Sequence, residues 1–418
     1  MTINYSEAVK DGIINSDLYV SEEVFNDEIE KIFYKGWVYV AHDSEIPNVG
    51  DYVRRNIGLE SYVVVRAKDK SVKVISNRCT HRSTILVHEE KGNLRGSLTC
   101  WYHGWVFGFD GELLSVPYEH GSEDIEHKCL PVAQNETYGG FIFATLNDNP
   151  VSFDEYLGKG KQLIDRILAC SPVGKVRLDS GFARYKTNTN WKLQLENNVD
   201  GYHLNYVHAS LGRAIKDDMR YKETTMVAED KLTTETIDYQ GGHIEITIGA
   251  GYTSPMVWLG MKEGRELPEY VKKYEKDIKE THSEEVAKEV LYAGPPHAYI
   301  FPNLFLAETN IIFYQMDDRH TNVQASTPIL LEGVPDELNS RLLRMCEGSL
   351  GPTSLLLPDD GAITERQSQG FLGNAMDVDM RRGINRERVG EDGVITSHIT
   401  DETSQRAFWN HYKKVMTA

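Results

Sequence analysis

Two short cysteine–histidine pairs have the spacing of a metal-ligand set. One residue separates Cys79 from His81, two separate Cys100 from His103, and 18 residues lie between the pairs. Structural zinc sites usually place like ligands together, so zinc suits this alternating order less well than iron. In a two-iron cluster with two cysteine and two histidine ligands, one iron takes both thiolates and the other both imidazoles, so each loop gives one ligand to each iron. The pattern favours such a cluster, with zinc as the alternative.

A second candidate site contains two histidines and a nearby carboxylate. Four residues separate His203 from His208, and Asp200 lies three positions before His203. On an ideal helix, residues five apart point about 140° away from each other, so a helix here must bend or widen for both imidazoles to reach one ion. Two histidines close to a carboxylate suit a metal site. The pattern alone also fits ordinary core or surface histidines.

Together the two patterns resemble the large (α) subunit of the Rieske non-haem iron aromatic-ring-hydroxylating oxygenases. The resemblance rests on the runs Cys79-Thr80-His81-Arg82, Cys100-Trp101-Tyr102-His103-Gly104-Trp105 and Glu196-Asn197-Asn198-Val199-Asp200-Gly201-Tyr202-His203, continued to His208. It implies a Rieske [2Fe-2S] cluster and a mononuclear non-haem Fe(II). The implied cluster ligands are Cys79, His81, Cys100 and His103, and the implied iron ligands are His203, His208 and Asp360.

The resemblance places the third iron ligand in a downstream segment of the chain. Leu350–Gly361 resembles the family segment that supplies a carboxylate, and the match places the ligand on the second acid of the pair, Asp360, with Asp359 as runner-up. The glycine, prolines and acids of this segment also predict a loop turn over Asp359–Gly361, which is compatible with a ligand role.

The resemblance assigns further roles around the iron. Asp200 matches a bridging aspartate, a catalytic residue that would orient His203 and reach His103 of a neighbouring subunit. Three residues are expected to line the substrate site: Asn197, Val207 and Leu355.

The function implied is that of an oxygenase component that hydroxylates or cis-dihydroxylates an aromatic ring with dioxygen. Electrons would come from NAD(P)H through a separate reductase, with or without a ferredoxin. A homotrimer, or an α3β3 assembly with a small β subunit, is expected. The sequence around Asp200 resembles the benzoate, anthranilate, salicylate and terephthalate branch more than the naphthalene and biphenyl branch, so an aromatic carboxylic acid is the favoured substrate. Against this, the strand Ile311–Gln315 lacks the arginine that some members use to bind a substrate carboxylate. A Rieske-type monooxygenase or demethylase acting on another small molecule is the alternative.

Hydrophobic periodicity predicts the elements that position these residues. Apolar residues at helical spacing over 24–33 predict a helix within an N-terminal segment, 1–35, that packs on the catalytic domain. Short runs rich in valine, isoleucine and aromatic residues predict a small all-β Rieske [2Fe-2S] domain over 36–150. Longer mixed segments over 151–418, including a helix over 193–210, predict an α+β catalytic domain with an antiparallel sheet flanked by helices.

Composition excludes other classes of protein. The 418 residues carry 45 Lys+Arg against 63 Asp+Glu, a formal charge of −18, which argues against nucleic acid or an anionic membrane as a partner. No apolar run is long enough for a membrane span, and the first residues lack the pattern of a signal peptide, so a cytoplasmic protein is expected. Five cysteines are too few for a disulfide framework in a chain of this length.

Overall fold

The computed structural model describes residues 3–118, 120, 126–210, 234–247, 259, 266–351, 354, 356–373 and 376–418. Its contacts divide the chain into two compact units, Ile29–Phe153 and a second that joins the residues up to Glu28 with Asp154–Ala418. Helices and antiparallel sheets occur together, as the predicted α+β class requires. Among the described helices, none combines the length and apolar character needed to cross a bilayer.

The Ile29–Phe153 unit is built from antiparallel strands. Its core side chains come from β-branched and aromatic residues such as Val63, Val65, Ile75 and Phe107, which favour strands. Among its described residues, the larger sheet has the spatial order Val38–His42, Phe141–Thr145, Val132–Tyr138, Val72–Ser76, Glu60–Arg66, Asp51–Ile57 and Lys91–Asn93. A smaller sheet has the order Leu113–Ser115, Val106–Phe107 and Leu98–Thr99.

The second unit is organised around a larger antiparallel sheet. Within the described ranges its order is Ala183–Thr187, Thr321–Pro328, Asn310–Asp318, Leu304–Ala307, His297–Ile300, Ile244–Ile246, Glu235–Asp238, Ile395–His398 and Arg388–Val389. There are also two small sheets among the described residues. One contains the strands Val9–Lys10, Ile13–Ile14 and Val378–Asp379, and the other pairs Val176–Arg177 with Leu330–Leu331.

Helices of different length accompany this sheet. The helices Trp191–Asn198 and Thr403–Thr417 pack together through the rings of Trp191 and Phe408, whose centroids lie 5.9 Å apart. The N-terminal helix Glu22–Glu28 continues as a π-helical turn, Ile29–Tyr34. The other α-helices are Tyr5–Ala8, Asp17–Val20, Phe153–Leu157, Lys161–Ala169, Leu204–Val207, Glu269–Thr281, Glu284–Lys288, Asp336–Leu350 and Leu357–Gly370.

The predicted continuous helix over 193–210 is wrong. The helix ends at Asn198, and a separate short helix, Leu204–Val207, follows. The turn between them contains Gly201, where a Cβ would lie 2.4 Å from the Ile399 side chain and 2.6 Å from its carbonyl oxygen. Close packing at this point therefore requires glycine, and glycine also weakens a helix.

The predicted loop turn over Asp359–Gly361 is also wrong. The helix Leu357–Gly370 begins there, with Pro358 in its first turn. Proline is tolerated in the first turn because the N–H that it lacks would have no helical partner. Asp359 and Asp360 also lie in the first turn, where a negative charge is favoured by the helix dipole.

Candidate metal centres

The two cysteine–histidine loops close in the same way. The N–H of Cys79 donates to the carbonyl of Thr84 at 2.9 Å, and the N–H of Cys100 donates to that of Trp105 at 2.7 Å. In each loop the fourth residue after the cysteine donates back to the cysteine carbonyl. That residue has positive φ in both loops, 58° at Ser83 and 73° at Gly104. The two loops therefore present their ligand residues from matching turns.

Within this pair of loops the thiols lie inside and the imidazoles outside. Cys79 and Cys100 are each 2% exposed and belong to the core of their unit, whereas His81 and His103 are exposed. The two imidazole rings are 4.6 Å apart between centroids, and His81 stacks on the Trp105 indole at 4.8 Å with an angle of 5° between the planes. This arrangement fits a cluster whose thiolate-bound iron is buried and whose imidazole-bound iron is near the surface.

The chemistry of Cys79 supports a cation at this site. Burial raises the pKa of its thiol, the neighbouring Cys100 thiol raises it further, and the backbone N–H groups of His81 and Arg82, which donate to its sulfur, oppose that rise. A buried Cys79 thiol would become a thiolate ligand only beside a positive charge, which bound iron would supply.

The second candidate centre forms where the helix is interrupted. His203 and His208 lie immediately before and after the short helix Leu204–Val207. Their Nε2 atoms are 3.3 Å apart. The turn after Asn198 thus solves the angular problem of two histidines five residues apart, which a bend in a continuous helix was expected to solve.

Asp360 reaches the histidine pair from a different helix. Its Oδ1 lies 3.2 Å from His208 Nε2 and 3.5 Å from His203 Nε2. One ligand atom from each of the three residues lies within 4.8 Å of the other two. Although buried, this oxygen makes no well-directed hydrogen bond within the described part of the chain. Two imidazole nitrogens and one carboxylate oxygen that converge on one point are a ligand set that fits a metal ion.

Charge effects in this cluster favour a positive group at its centre. Burial tends to lower the pKa of His203, but hydrogen bonds and charge from Asp200 and Asp360 raise it to about 9. Burial opposes ionisation of Asp360, yet His203 and His208 lower the pKa of its carboxyl to about 2. The carboxylate is therefore ionised at neutral pH, and the site stabilises a cation.

Asp200 and Asp359 occupy positions behind the two imidazoles. Asp200 Oδ2 lies 3.3 Å from His203 Nδ1, and its Oδ1 accepts the N–H of Tyr202 at 2.7 Å. Asp359 Oδ2 lies 3.9 Å from His208 Nδ1, too far for a hydrogen bond, and accepts the Ser210 hydroxyl at 3.0 Å. Asp200 can orient His203, whereas Asp359 faces the side of His208 away from the other ligands.

The predicted substrate contacts are placed only in part. Asn197 and Val207 are half-buried, Asn197 on the helix that ends before Asp200 and Val207 on the short helix. The Nδ2 of Asn197 is buried with no hydrogen-bond partner among the described residues. Leu355 lies outside the described residues.

Four residues with no predicted role form two hydrogen-bonded pairs that involve the helices carrying or preceding the ligand residues. Thr364 and Gln194 join their side chains at 2.9 Å, and Tyr19 donates to Glu196 at 2.9 Å. All four are buried. The partners are far apart in the chain and carry no shared motif, so no local sequence signal identifies these contacts.

Comparisons with known families cover most of the chain. Residues 36–132 match the Rieske [2Fe-2S] domain, and residues 169–418 match the catalytic domain of the ring hydroxylating α subunit. The first range contains the four residues predicted to bind the cluster, and the second contains the three predicted to bind the mononuclear iron.

Individual relatives differ in the reactions named for them. The chain is 28% identical over 419 residues to the large oxygenase component of a naphthalene 1,2-dioxygenase system of Ralstonia sp., covering 95% of this chain and 90% of the relative. It is 27% identical to the large subunit of 2-halobenzoate 1,2-dioxygenase of Burkholderia cepacia, covering 88% and 79%. It is 29% identical to the α subunit of an N,N-dimethyl phenylurea N-demethylase of a Sphingobium strain, covering 86% and 80%.

A solved structure of naphthalene 1,2-dioxygenase with indole bound in its active site has the same fold. The TM-score is 0.85 at 24% identity, and the superposition covers 100% of this chain and 95% of the other.

Proposed function

The chain belongs to the family of ring-hydroxylating oxygenase α subunits, and we propose that it oxidises an aromatic substrate at an iron held by His203, His208 and Asp360. The observation that carries the proposal is the convergence of these three ligand atoms within 4.8 Å. The family has a Rieske [2Fe-2S] cluster and a mononuclear iron, and we assign the cluster to Cys79, His81, Cys100 and His103. When bound, the cluster supplies one-electron reduction and the iron supplies dioxygen activation.

The residues of this chain prepare the iron site. Asp200 accepts a hydrogen bond from His203 Nδ1, which fixes the tautomer and leaves Nε2 free to bind metal. The ionised Asp360 contributes the negative charge of the set. Two histidines and one carboxylate occupy only part of the coordination of iron(II), so that dioxygen and substrate can approach.

Electron delivery depends on partners. We propose a separate NAD(P)H-dependent reductase, with or without a ferredoxin, and a ring of three α subunits, with or without small β subunits, in the cytoplasm. In such a ring the cluster of one subunit faces the iron of the next, and Asp200 would also accept a hydrogen bond from the neighbour's His103. Trp101 and Tyr102, next to His103, are 90% and 57% exposed, which suits a surface that is covered on assembly.

The substrate class proposed is an aromatic compound, with an aromatic carboxylic acid favoured. The similarity to a 2-halobenzoate dioxygenase and the sequence around Asp200 support the acid. The similarity to naphthalene dioxygenases supports a ring without a carboxylate, as does the strand Asn310–Asp318, whose sequence has no arginine.

A single-turnover reaction tests the proposal directly. The protein is reduced anaerobically and then mixed with ¹⁸O₂ and either benzoate or naphthalene, and the products are analysed by mass spectrometry. We expect a ring product that contains two labelled oxygen atoms. A His203→Ala variant with its cluster intact is the control and should give no product. Product formation by that control would contradict the assigned iron site.

Oxidative N-demethylation is the second candidate function. It is favoured by the 29% identity to a phenylurea N-demethylase α subunit. With N,N-dimethyl phenylurea in the same reaction, this function predicts formaldehyde and a monomethyl product, with no labelled dihydrodiol from the aromatic probes.

A further inference from the structure

The helix Trp191–Asn198 leads into the histidine turn and is buried at every position except the half-buried Asn197. Its residues Lys192, Gln194 and Glu196 are polar yet buried. At 100° per residue, Lys192 and Glu196 share one face, and Gln194 points to the opposite one. Buried polar groups are costly unless they are hydrogen-bonded, so their partners indicate what holds this helix in place.

On one face, Gln194 joins the helix to the one that carries Asp360. Its side-chain oxygen is 2.9 Å from the Thr364 hydroxyl, which also lies 2.9 Å from the carbonyl oxygen of Asp360. One hydroxyl proton cannot serve both acceptors fully. The Nε2 of Gln194 is buried and has no hydrogen-bond partner among the residues that the structure describes. If the amide is turned over, Nε2 donates to the Thr364 hydroxyl, and the hydroxyl donates to the Asp360 carbonyl oxygen. Either orientation links the two helices through Thr364.

On the other face, Tyr19 links the same two helices. Its hydroxyl donates to Glu196 Oε1 at 2.9 Å, and its ring stacks on Phe371 with centroids 4.6 Å apart and an angle of 9°. Phe371 is the C-cap residue of the Asp360 helix. Trp409 of the C-terminal helix donates to the same Glu196 oxygen at 2.8 Å. Tyr19 therefore contacts both the helix that precedes the histidine turn and the C-terminal end of the helix that carries Asp360.

We propose that the Gln194–Thr364 and Glu196–Tyr19 pairs form a clamp that sets the position of the histidine pair relative to Asp360. The proposal rests on the iron site assigned above. These four are positioning residues, because they act through the two helices and do not contact the metal ligands' side chains. The N-terminal segment is thereby part of the active-site support, although no chemistry is carried out by it.

The geometry explains why the loss of one hydroxyl in the clamp should weaken Fe(II) binding. A site functions when its ligands are held to within roughly 0.5 Å of their working positions. Residues that hydrogen-bond directly to ligands change metal affinity by about 10- to 100-fold when replaced. The clamp acts one layer further out, so we expect a change of about three- to tenfold in the dissociation constant for Fe(II).

Two isosteric variants test the clamp. Tyr19→Phe removes the donor to Glu196 but keeps the ring on Phe371, and Thr364→Val removes the hydroxyl between the helices. The first control is Tyr5→Phe, which removes a hydroxyl that donates to Asp27 at 2.8 Å in the same N-terminal segment. The second is Thr236→Val, since the Thr236 hydroxyl is buried with no hydrogen-bond partner among the described residues.

The measurements are the anaerobic dissociation constant for Fe(II) and the electron paramagnetic resonance signal of the nitric oxide complex of the bound iron. Cluster absorbance and the thermal unfolding midpoint show whether each variant is folded. The clamp predicts weaker Fe(II) binding and an altered signal in Tyr19→Phe and Thr364→Val, with wild-type values in both controls. Wild-type affinity and signal in the two clamp variants, or equal changes in the controls, would overturn the proposal. His203→Ala tests the iron site separately, because retention of Fe(II) there would refute the site itself, whatever the clamp variants show.

Discussion

Adjacent acids at the start of one helix allow a matched test of the third iron ligand. Asp359 and Asp360 both lie in the first turn of Leu357–Gly370, so replacing either with asparagine removes the same favourable interaction with the helix dipole. They differ in what they face. Asp360 Oδ1 is 3.2 Å from His208 Nε2, whereas Asp359 Oδ2 is 3.9 Å from Nδ1, on the other side of that ring.

The magnitudes follow from distance and exposure. For Asp360, a unit charge at 3.2 Å in an effective dielectric of about 20 gives roughly 5 kcal/mol of attraction to a cation beside Nε2. Asp359 is 37% exposed, and across the imidazole its charge lies about 6 Å from Nε2, which gives about 1 kcal/mol or less in a medium close to water. Desolvation offsets part of the larger value, so we expect at least about a 100-fold loss of Fe(II) affinity in Asp360→Asn and less than about tenfold in Asp359→Asn.

Equilibrium dialysis against anaerobic Fe(II), followed by metal analysis, measures both constants. Acid-labile sulfide and the cluster spectrum should be unchanged in both variants, because the cluster ligands belong to the other compact unit. Equal losses in the two variants would mean that the carboxylates act only through general charge. A larger loss in Asp359→Asn would show that the wrong acid has been assigned.

Three further predictions concern other parts of the two centres. Asp200→Asn should keep both metals but slow substrate-dependent reoxidation of the reduced cluster by about tenfold or more, measured by stopped-flow absorbance, because an amide cannot orient His203 as a carboxylate does; an unchanged rate would exclude this role. Burial raises the pKa of Glu196 from 4.5 to about 7, and the negative charge of Glu402 contributes to the rise. The hydrogen bonds from Tyr19 and Trp409 and the positive charge of Lys192 lower the pKa and so oppose this rise. The folded state therefore keeps a proton that the unfolded state loses, and stability should fall by about 3 kcal/mol as pH rises from 4.5 to 7; Glu196→Gln should remove this part of the pH dependence of the unfolding midpoint. Gly104→Ala should lower cluster content and the midpoint, because φ is 73° and the new Cβ would lie 3.0 Å from Pro117, whereas Ser83→Gly at the matching position should leave both unchanged or raise the midpoint; the reverse order would contradict the matching of the loops.

Local signals in the sequence predict a metal centre at the two cysteine–histidine loops. The Cys79 and Cys100 loops follow short strands, and each brings a cysteine and a histidine close together, so spacing alone limits where those ligands can lie. The strand pattern of the first unit also depends only on neighbouring residues, so it can be predicted in the same way. The link between His203 and Asp360 could be predicted only from the family resemblance, since they lie 157 residues apart in the numbering.

The spacing of His203 and His208 predicts a bend or widening of the helix, but not the full break after Asn198, because the cause of that break lies elsewhere in the chain. Gly201 by itself is tolerated in a helix at a modest cost, and only the nearness of Ile399 makes glycine necessary there. The loop signals at Pro358 were ambiguous in a different way. Proline followed by acidic residues is typical both of a turn and of the first turn of a helix, and the residues that follow must decide between them.

The sequence Trp191-Lys192-Leu193-Gln194-Leu195-Glu196 alternates apolar and polar residues, a pattern that usually indicates a half-buried strand. In a helix the same alternation distributes polar groups around the axis, so that each meets a different neighbour. Lys192 pairs with Glu28 at 2.6 Å, and both side chains are fully buried. Buried pairs of this kind add little net stability compared with apolar residues, but their directional bonds can fix one arrangement of the surrounding elements. The helix Trp191–Asn198 must end at a defined place so that His203 and His208 can face Asp360. Its buried polar contacts fix that position, which an apolar helix of greater stability would not do.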